Sequence, residues 1–172
     1  MKIFLKPQFI VFVLALCIIG RLSAQTVATS VDPKKYEGKW YINAAIPLAL
    51  DKDWCCTIDN YSLNKKGYID VLTTYRKYDL KHKSKSLKQK LIPDKNSNYT
   101  KFMAKVLIFS APYWIISVAD DYSYAVLGHP DKKYLYFISK KPQMEEGLYQ
   151  KLVKFSAEQG YDISKIKRQV QE

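Results

Sequence analysis

Apolar and polar residues alternate in short runs along most of this chain. Residues 40–45 are apolar, and residues 57–63 alternate. The turn Asn64-Lys65-Lys66-Gly67 then leads into 68–75, and the two runs read as a β-hairpin. Runs at 86–92 and 99–109 are split by Pro93-Asp94-Lys95-Asn96-Ser97-Asn98. Runs at 113–119 and 122–127 join at Asp120-Asp121, and Gly128-His129-Pro130-Asp131 leads to 134–139. This predicts about eight short strands at roughly ten-residue spacing, an all-β barrel or sandwich. After Pro142 the period changes. Leu148, Leu152 and Phe155 fall at i, i+4 and i+7, with Glu145 and Glu146 early, Lys151 and Lys154 late, and Gly160 as a stop. One amphipathic helix is predicted, its apolar stripe packed on the outside of the strands.

Alternation sorts the strands into faces. Thr57, Asp59, Tyr61 and Leu63 share one, as do Ile69, Val71, Thr73 and Tyr75. Phe102, Ala104 and Val106 share another, and Trp114, Ile116 and Val118 a fourth. These faces are apolar and aromatic with sparse polar groups. They suit a pocket for a small apolar ligand or a solid core, and alternation allows both. Asp59 is the odd member. Pointing inward, its carboxyl needs a partner, a raised pKa or water at a mouth, and it is placed to receive a ligand hydroxyl or amine. A one-residue slip would put it outside.

The chain has 172 residues and a formal charge of +12; 48% of residues are hydrophobic and 14% aromatic, with 14 Tyr. That suits one domain with a core and excludes a disordered, collagen-like or low-complexity chain. Residues 1–24 read as a secretory signal: Lys2 and Lys6, an apolar run of about 11 residues, then Leu22-Ser23-Ala24 at the cut. The run is short for a membrane span, although an uncleaved anchor is the rival reading. Lipid attachment at Cys17 would need a small residue where Leu16 stands. Loss of Lys2, Lys6 and Arg21 lowers the charge from +12 to +9 and leaves a polar, loose segment over 25–35 ahead of a domain at 36–172.

Cys55 and Cys56 are adjacent, which rules out an ordinary disulfide between them. With His82 and His129 in separate loops, the residues give no metal site. The stretch 76–90 holds Arg76, Lys77, Lys81, Lys83, Lys85, Lys88 and Lys90 against Asp79. Lys81, Lys83 and Lys85 alternate, as on one strand face. They read as a solvated edge, or as a contact for anionic lipid head groups or a ligand carboxylate. Nucleic acid is disfavoured by the export signal and the lack of a groove-reading element.

Tyr36-Glu37-Gly38-Lys39-Trp40-Tyr41 fits the G-x-W-Y signature that opens lipocalins. Ala111-Pro112-Tyr113-Trp114-Ile115-Ile116, followed by Asp120-Asp121-Tyr122-Ser123-Tyr124-Ala125-Val126, resembles the second motif of that family. Tyr134-Leu135-Tyr136-Phe137-Ile138-Ser139-Lys140-Lys141-Pro142 resembles the third, and Glu158-Gln159-Gly160-Tyr161-Asp162-Ile163-Ser164-Lys165 is similar to the ending of the bacterial lipocalin and apolipoprotein D-like subgroup. The resemblance implies an eight-stranded up-and-down antiparallel barrel, closed at one end. Gly38, Trp40, Asp121, Tyr122 and Lys140 would be its structural motif residues. Lys140 stands where the family usually has Arg over the plug Trp, which gives a cation–π contact without the planar stack.

The resemblance also implies binding, storage or transport of a fatty acid, lysophospholipid or other small lipophile. The residues expected to line that site are Trp114, Ile116, Val118, Phe102, Ala104, Val106, Tyr61, Val71, Thr73, Tyr75 and Asp59, with Trp114 at a pocket-lining position. Burial stabilises an acyl chain by roughly 0.8 kcal/mol per methylene, so about ten methylenes would offset the cost of immobilising it. An exported protein is expected, periplasmic, outer-membrane-associated or secreted, as a monomer or weak dimer without a cofactor. Two alternatives stand beside this reading. One is a lipocalin-fold enzyme acting on a lipophile through Cys55 or Cys56, which would need a cationic neighbour to lower a thiol pKa. The other is a membrane-surface protein using the basic 76–90 segment.

Overall fold

The computed structural model describes residues 25–171; the signal expected over 1–24, Cys17 included, lies outside the described residues. Eight strands run in chain order: β1 (Gly38–Ile46), β2 (Trp54–Leu63), β3 (Ile69–Lys77), β4 (Lys85–Pro93), β5 (Lys101–Val106), β6 (Phe109–Val118), β7 (Tyr124–Gly128) and β8 (Leu135–Ser139). Each pairs antiparallel with the next, and β8 returns to β1. The lower part of β1, Gly38 to Tyr41, also pairs with Tyr61 to Ile58 of β2, so the sheet closes on itself. This is the eight-stranded antiparallel barrel that the family resemblance implies, and one of the two architectures that the alternation allows. Closure removes the sheet edges that would otherwise pair with other chains.

Three local expectations are corrected. The run 99–109 is not one strand. It breaks at Leu107, whose φ of 53° turns β5 into β6, so Phe109 begins the next strand. Nor do Lys81 and Lys83 line a strand face. They sit in the β3–β4 turn, organised by Asp79, which accepts from the Lys81 N–H at 2.8 Å and from His82 Nδ1 at 2.9 Å. Finally, residues 25–35 are tied down rather than loose. Gln25 Nε2 donates to the Tyr161 hydroxyl (2.9 Å), Ala28 N–H to the Ile115 carbonyl (3.1 Å), and Val31 N–H to the Asn98 carbonyl (2.9 Å). Burial of Val31 within the barrel core adds an apolar anchor.

One end is shut. Asp32 caps α1 (Pro33–Tyr36), which lays Tyr36 across the barrel axis. Trp40 is fully buried beneath it, its indole N–H donating to the Tyr36 carbonyl at 2.8 Å and its ring 4.8 Å from that of Tyr36. Lys140 Nζ stands 4.1 Å above the Trp40 ring and donates to the Glu37 carbonyl (2.7 Å). Tyr122, in the β6–β7 turn, accepts from the Asp32 N–H at 2.8 Å, and Asp121 holds that turn by accepting from the Ser123 N–H at 3.0 Å.

The helix α2 (Glu146–Glu158) packs outside the barrel, where Leu152 and Ser156 are buried against Ala44, Ile116, Val126 and Phe137. Gly160 (φ +82°) ends it in the left-handed conformation natural to glycine. The chain then brings Tyr161 against Gly128, where a Cβ would lie 2.1 Å from the Tyr161 hydroxyl; only glycine fits. A short β9 (Lys167–Arg168) pairs with Ala44 and Ala45 of β1, a ninth strand that the sequence pattern does not announce.

Candidate functional site

The other end of the barrel is open onto a cavity of about 550 Å³. That lies within the roughly 300–1,000 Å³ typical of small-molecule sites. The lower half is filled: Tyr36, Trp40, Tyr61, Val71, Leu91, Phe102 and Ile115 pack together there. Above them the walls are mostly apolar, with Ile42, Tyr75, Leu87, Ala104, Val106 and Leu127 facing the space. Small Ala104 and Ala111 leave room where larger residues would meet across the barrel. The rim carries Leu48 and Leu50 from the β1–β2 loop and Leu107 and Phe109 from the β5–β6 hairpin.

The floor is polar and hydrogen-bonded around Asp59. Asp59 is only 8% exposed. Its carboxyl accepts from Thr73 Oγ1 at 2.5 Å and from the Tyr61 hydroxyl at 3.0 Å. Thr73 accepts in turn from Gln89 Nε2 (2.6 Å), and the Tyr61 and Tyr113 hydroxyls share a hydrogen bond of 2.9 Å. Burial raises the Asp59 pKa above the ordinary carboxylate value; the two hydroxyl donors oppose that shift without cancelling it. Burial also raises the pKa of the Tyr61 and Tyr113 phenols, so both remain hydrogen-bond donors.

Asp51, from the β1–β2 loop, lines the same cavity. Its Oδ2 accepts from the Tyr136 hydroxyl at 2.6 Å, and burial raises its pKa as well. Trp54, next along, stacks on Tyr75 with ring centroids 3.6 Å apart and forms part of the wall.

Of the residues expected in the site, Asp59, Thr73, Tyr75, Ala104 and Val106 line the cavity. Tyr61, Val71 and Phe102 face the same interior one layer lower, in the packed core, and Val118 packs against that core. Trp114 and Ile116 do not face the interior. They lie on the outer surface with the residues under α2, and Lys101 Nζ sits 4.5 Å over the Trp114 ring. The inward residues of β6 are Ala111, Tyr113 and Ile115, and a bulge between Ile115 and Ser117 then shifts the register, which brings Val118 back inside. The alternation of Trp114 and Ile116 thus marks the outer face of the first half of this strand, one residue out of phase with the cavity.

Asp51, Trp54 and Tyr136 join the site without a signal in the sequence, because loop position and cross-barrel pairing leave no local pattern. Cys55 and Cys56 flank the bulge at the start of β2 with their sulfurs 3.5 Å apart, and neither lines the cavity. Among the described residues no three His, Cys, Asp or Glu side chains come together as a metal cluster, and no helix is long and apolar enough to cross a membrane.

A single-chain barrel plugged by a fully buried indole at one end and hollow at the other is a β-calyx, a class of cup built around small apolar molecules. The chain belongs to the lipocalin family: the family described as a lipocalin-like domain matches residues 31–171. Temperature-induced lipocalin-1 of Arabidopsis thaliana is 30% identical over 154 residues, covering 81% of this chain and 79% of that protein. The outer membrane lipoprotein Blc of Vibrio cholerae is 26% identical, covering 86% and 87%. Apolipoprotein D of Macaca fascicularis is 32% identical over 63% of this chain and 57% of its own length. These relatives place the chain in the bacterial lipocalin and apolipoprotein D-like subgroup. Among solved structures, insecticyanin from Manduca sexta superposes with a TM-score of 0.67 at 20% identity, covering 86% of this chain and 84% of that one, which shows the shared fold.

Proposed function

We propose that this protein stores or carries a single-chain lipophile, of the fatty acid or lysophospholipid type, in the barrel cavity. The observation that carries the reading is the apolar space of about 550 Å³ above a sealed floor. Binding rather than catalysis is favoured because neither Cys55 nor Cys56 faces that space. Export, with cleavage after Ala24, is part of the reading: residues 1–24 precede the matched domain, and relatives include outer membrane lipoproteins. Intact mass of the exported protein should then begin at Gln25.

Native mass spectrometry of the purified protein, followed by lipid extraction, tests the carrier role. A stoichiometric adduct of lipid mass is expected. Titration of stripped protein with a fatty acid or lysophospholipid should change the tryptophan emission, with Trp54 in the wall as reporter. Ala104→Phe, which fills the space, should weaken binding at least tenfold. No adduct and no emission change in the wild type would sink the proposal.

A second feature favours delivery at a membrane surface. The β5–β6 tip presents Leu107, Ile108 and Phe109 to solvent, Ile108 being 91% exposed, beside the rim of the cavity. Tyr78 and Leu80 are exposed on the β3–β4 turn, with Lys77, Lys81, Lys83 and Lys85 around them. Apolar tips set among lysines suit an anionic lipid leaflet, so docking would face the mouth toward the source of ligand. The basic segment thus supports the carrier and need not be a separate activity.

A further inference from the structure

Among the described residues, the cavity is lined by acids and by no base. Asp51 and Asp59 line it, and no Lys, Arg or His does, in a chain with 28 Lys and Arg. Neither carboxyl takes part in the ion pairs seen among the described residues, and no cation shifts the pKa of either. Asp59 is satisfied by Thr73 and Tyr61, whereas Asp51 is not. It is 9% exposed; its Oδ2 takes the Tyr136 hydroxyl, but its Oδ1 is buried with no donor. Two neighbours on the same wall, Trp54 Nε1 and Thr57 Oγ1, are likewise buried without partners. A buried acceptor left without a donor is costly, and native interiors seldom keep one. Two acceptors, Asp51 Oδ1 and Thr57 Oγ1, thus lack a donor on one cavity wall, beside the indole donor of Trp54, and form a polar subsite that an occupant would complete.

We propose that this subsite takes a protonated amine, so that the preferred ligand is a lipophilic amine whose cation pairs with Asp51 while its chain fills the apolar cavity. This rests on the carrier reading of a single-chain lipophile in the cavity, and it puts an amine in place of the fatty acid or lysophospholipid head group. An ammonium group supplies the donors that Asp51 Oδ1 and Thr57 Oγ1 lack. It is also the one charge that both carboxyls attract. Asp51 disfavours ionisation of Asp59 across the cavity, and an anionic head group seated inside would add a further like charge. Low dielectric strengthens both the attraction and the repulsion. A fatty acid is therefore confined to poses with its carboxylate outside the cavity, whereas an amine can be drawn in completely.

The test is calorimetric titration of delipidated protein with three probes of one chain length: dodecylamine, dodecanol and dodecanoic acid. Dodecylamine is expected to bind at least tenfold more tightly than dodecanoic acid, with dodecanol between them. In Asp51→Asn the preference for amine over alcohol should fall about tenfold, and dodecanol reports on the integrity of the cavity in the same sample. If dodecanoic acid binds as tightly as dodecylamine, or Asp51→Asn keeps the amine preference, the amine subsite is wrong and the carrier role stands. If none of the three binds, both fall. Should Asp51→Asn fail to fold, the wild-type ranking decides the matter.

Discussion

Asp59 shows how much one buried carboxyl can shape a stability profile. Desolvation holds its proton more tightly in the folded protein than in the unfolded chain, despite two hydroxyl donors. The native state therefore binds extra proton between the ordinary value of 3.8 and the raised one. By linkage, Asp59 favours folding on the acid side, and that advantage is lost as pH rises through the folded-state pKa. Asn cannot ionise, so Asp59→Asn should melt above the wild type at about pH 8, and the gap should close as the pH falls toward 3.8. Melting curves across that range would settle it; a gap independent of pH would assign the effect to other groups. Trp40 poses a plainer case. Fully buried under Tyr36, it should cost about 3–5 kcal/mol on truncation to Ala, read as a shift of the urea midpoint at constant slope.

At the scale of elements, β6 is the instructive strand. Trp114, Ile116 and Val118 alternate cleanly, and nothing in their spacing reveals the bulge that divides them. Both faces of β6 are apolar because α2 covers the outer one, so hydrophobicity cannot tell the cavity side from the helix side. In β3 and β5 the outer faces carry Asp70, Lys101 and Lys105, and there the inward residues were read correctly. The same logic explains why 99–109 looked like one strand: its hairpin tip is Leu107-Ile108, apolar where turns are usually polar. The closed end was legible, since Gly38, Trp40 and Lys140 are fixed by short-range motifs. The mouth was not, because Asp51 meets Tyr136 only through the fold. With Trp114 outside, Trp114→Ala should leave ligand affinity unchanged, while Leu152→Ala should destabilise by about 2–5 kcal/mol through the lost packing of α2. Parallel titration and thermal melts of the two variants check this, and a loss of affinity in Trp114→Ala would contradict the placement.

For the whole molecule, the separation of charge matters more than its sum. Lysines crowd the outside and the β3–β4 turn, while among the described residues the cavity keeps two acids and no base. Anionic surfaces are thus attracted at long range and anionic groups are discouraged within. Ile108→Glu should weaken binding to vesicles containing anionic phospholipid without moving the melting temperature, because the side chain is 91% exposed. Co-sedimentation at low and high salt would separate the two contributions. Salt should remove the lysine share and leave an apolar remainder that only the substitution abolishes. Equal vesicle binding by the variant would remove the tip from the docking surface.

The wall itself has a seam. β1 and β2 are paired only from Gly38 to Tyr41; nearer the mouth, residues 167–171 bridge them instead. Gln169 N–H donates to the Asn43 carbonyl at 2.8 Å, Cys56 N–H to the Val170 carbonyl at 2.9 Å, and Gln171 Nε2 to the Ile42 carbonyl at 2.5 Å. The tail is thus the stitching of a cup that its own strands leave unsewn. Were those stitches cut, the vessel would become a trough, draining along its flank as well as over its lip.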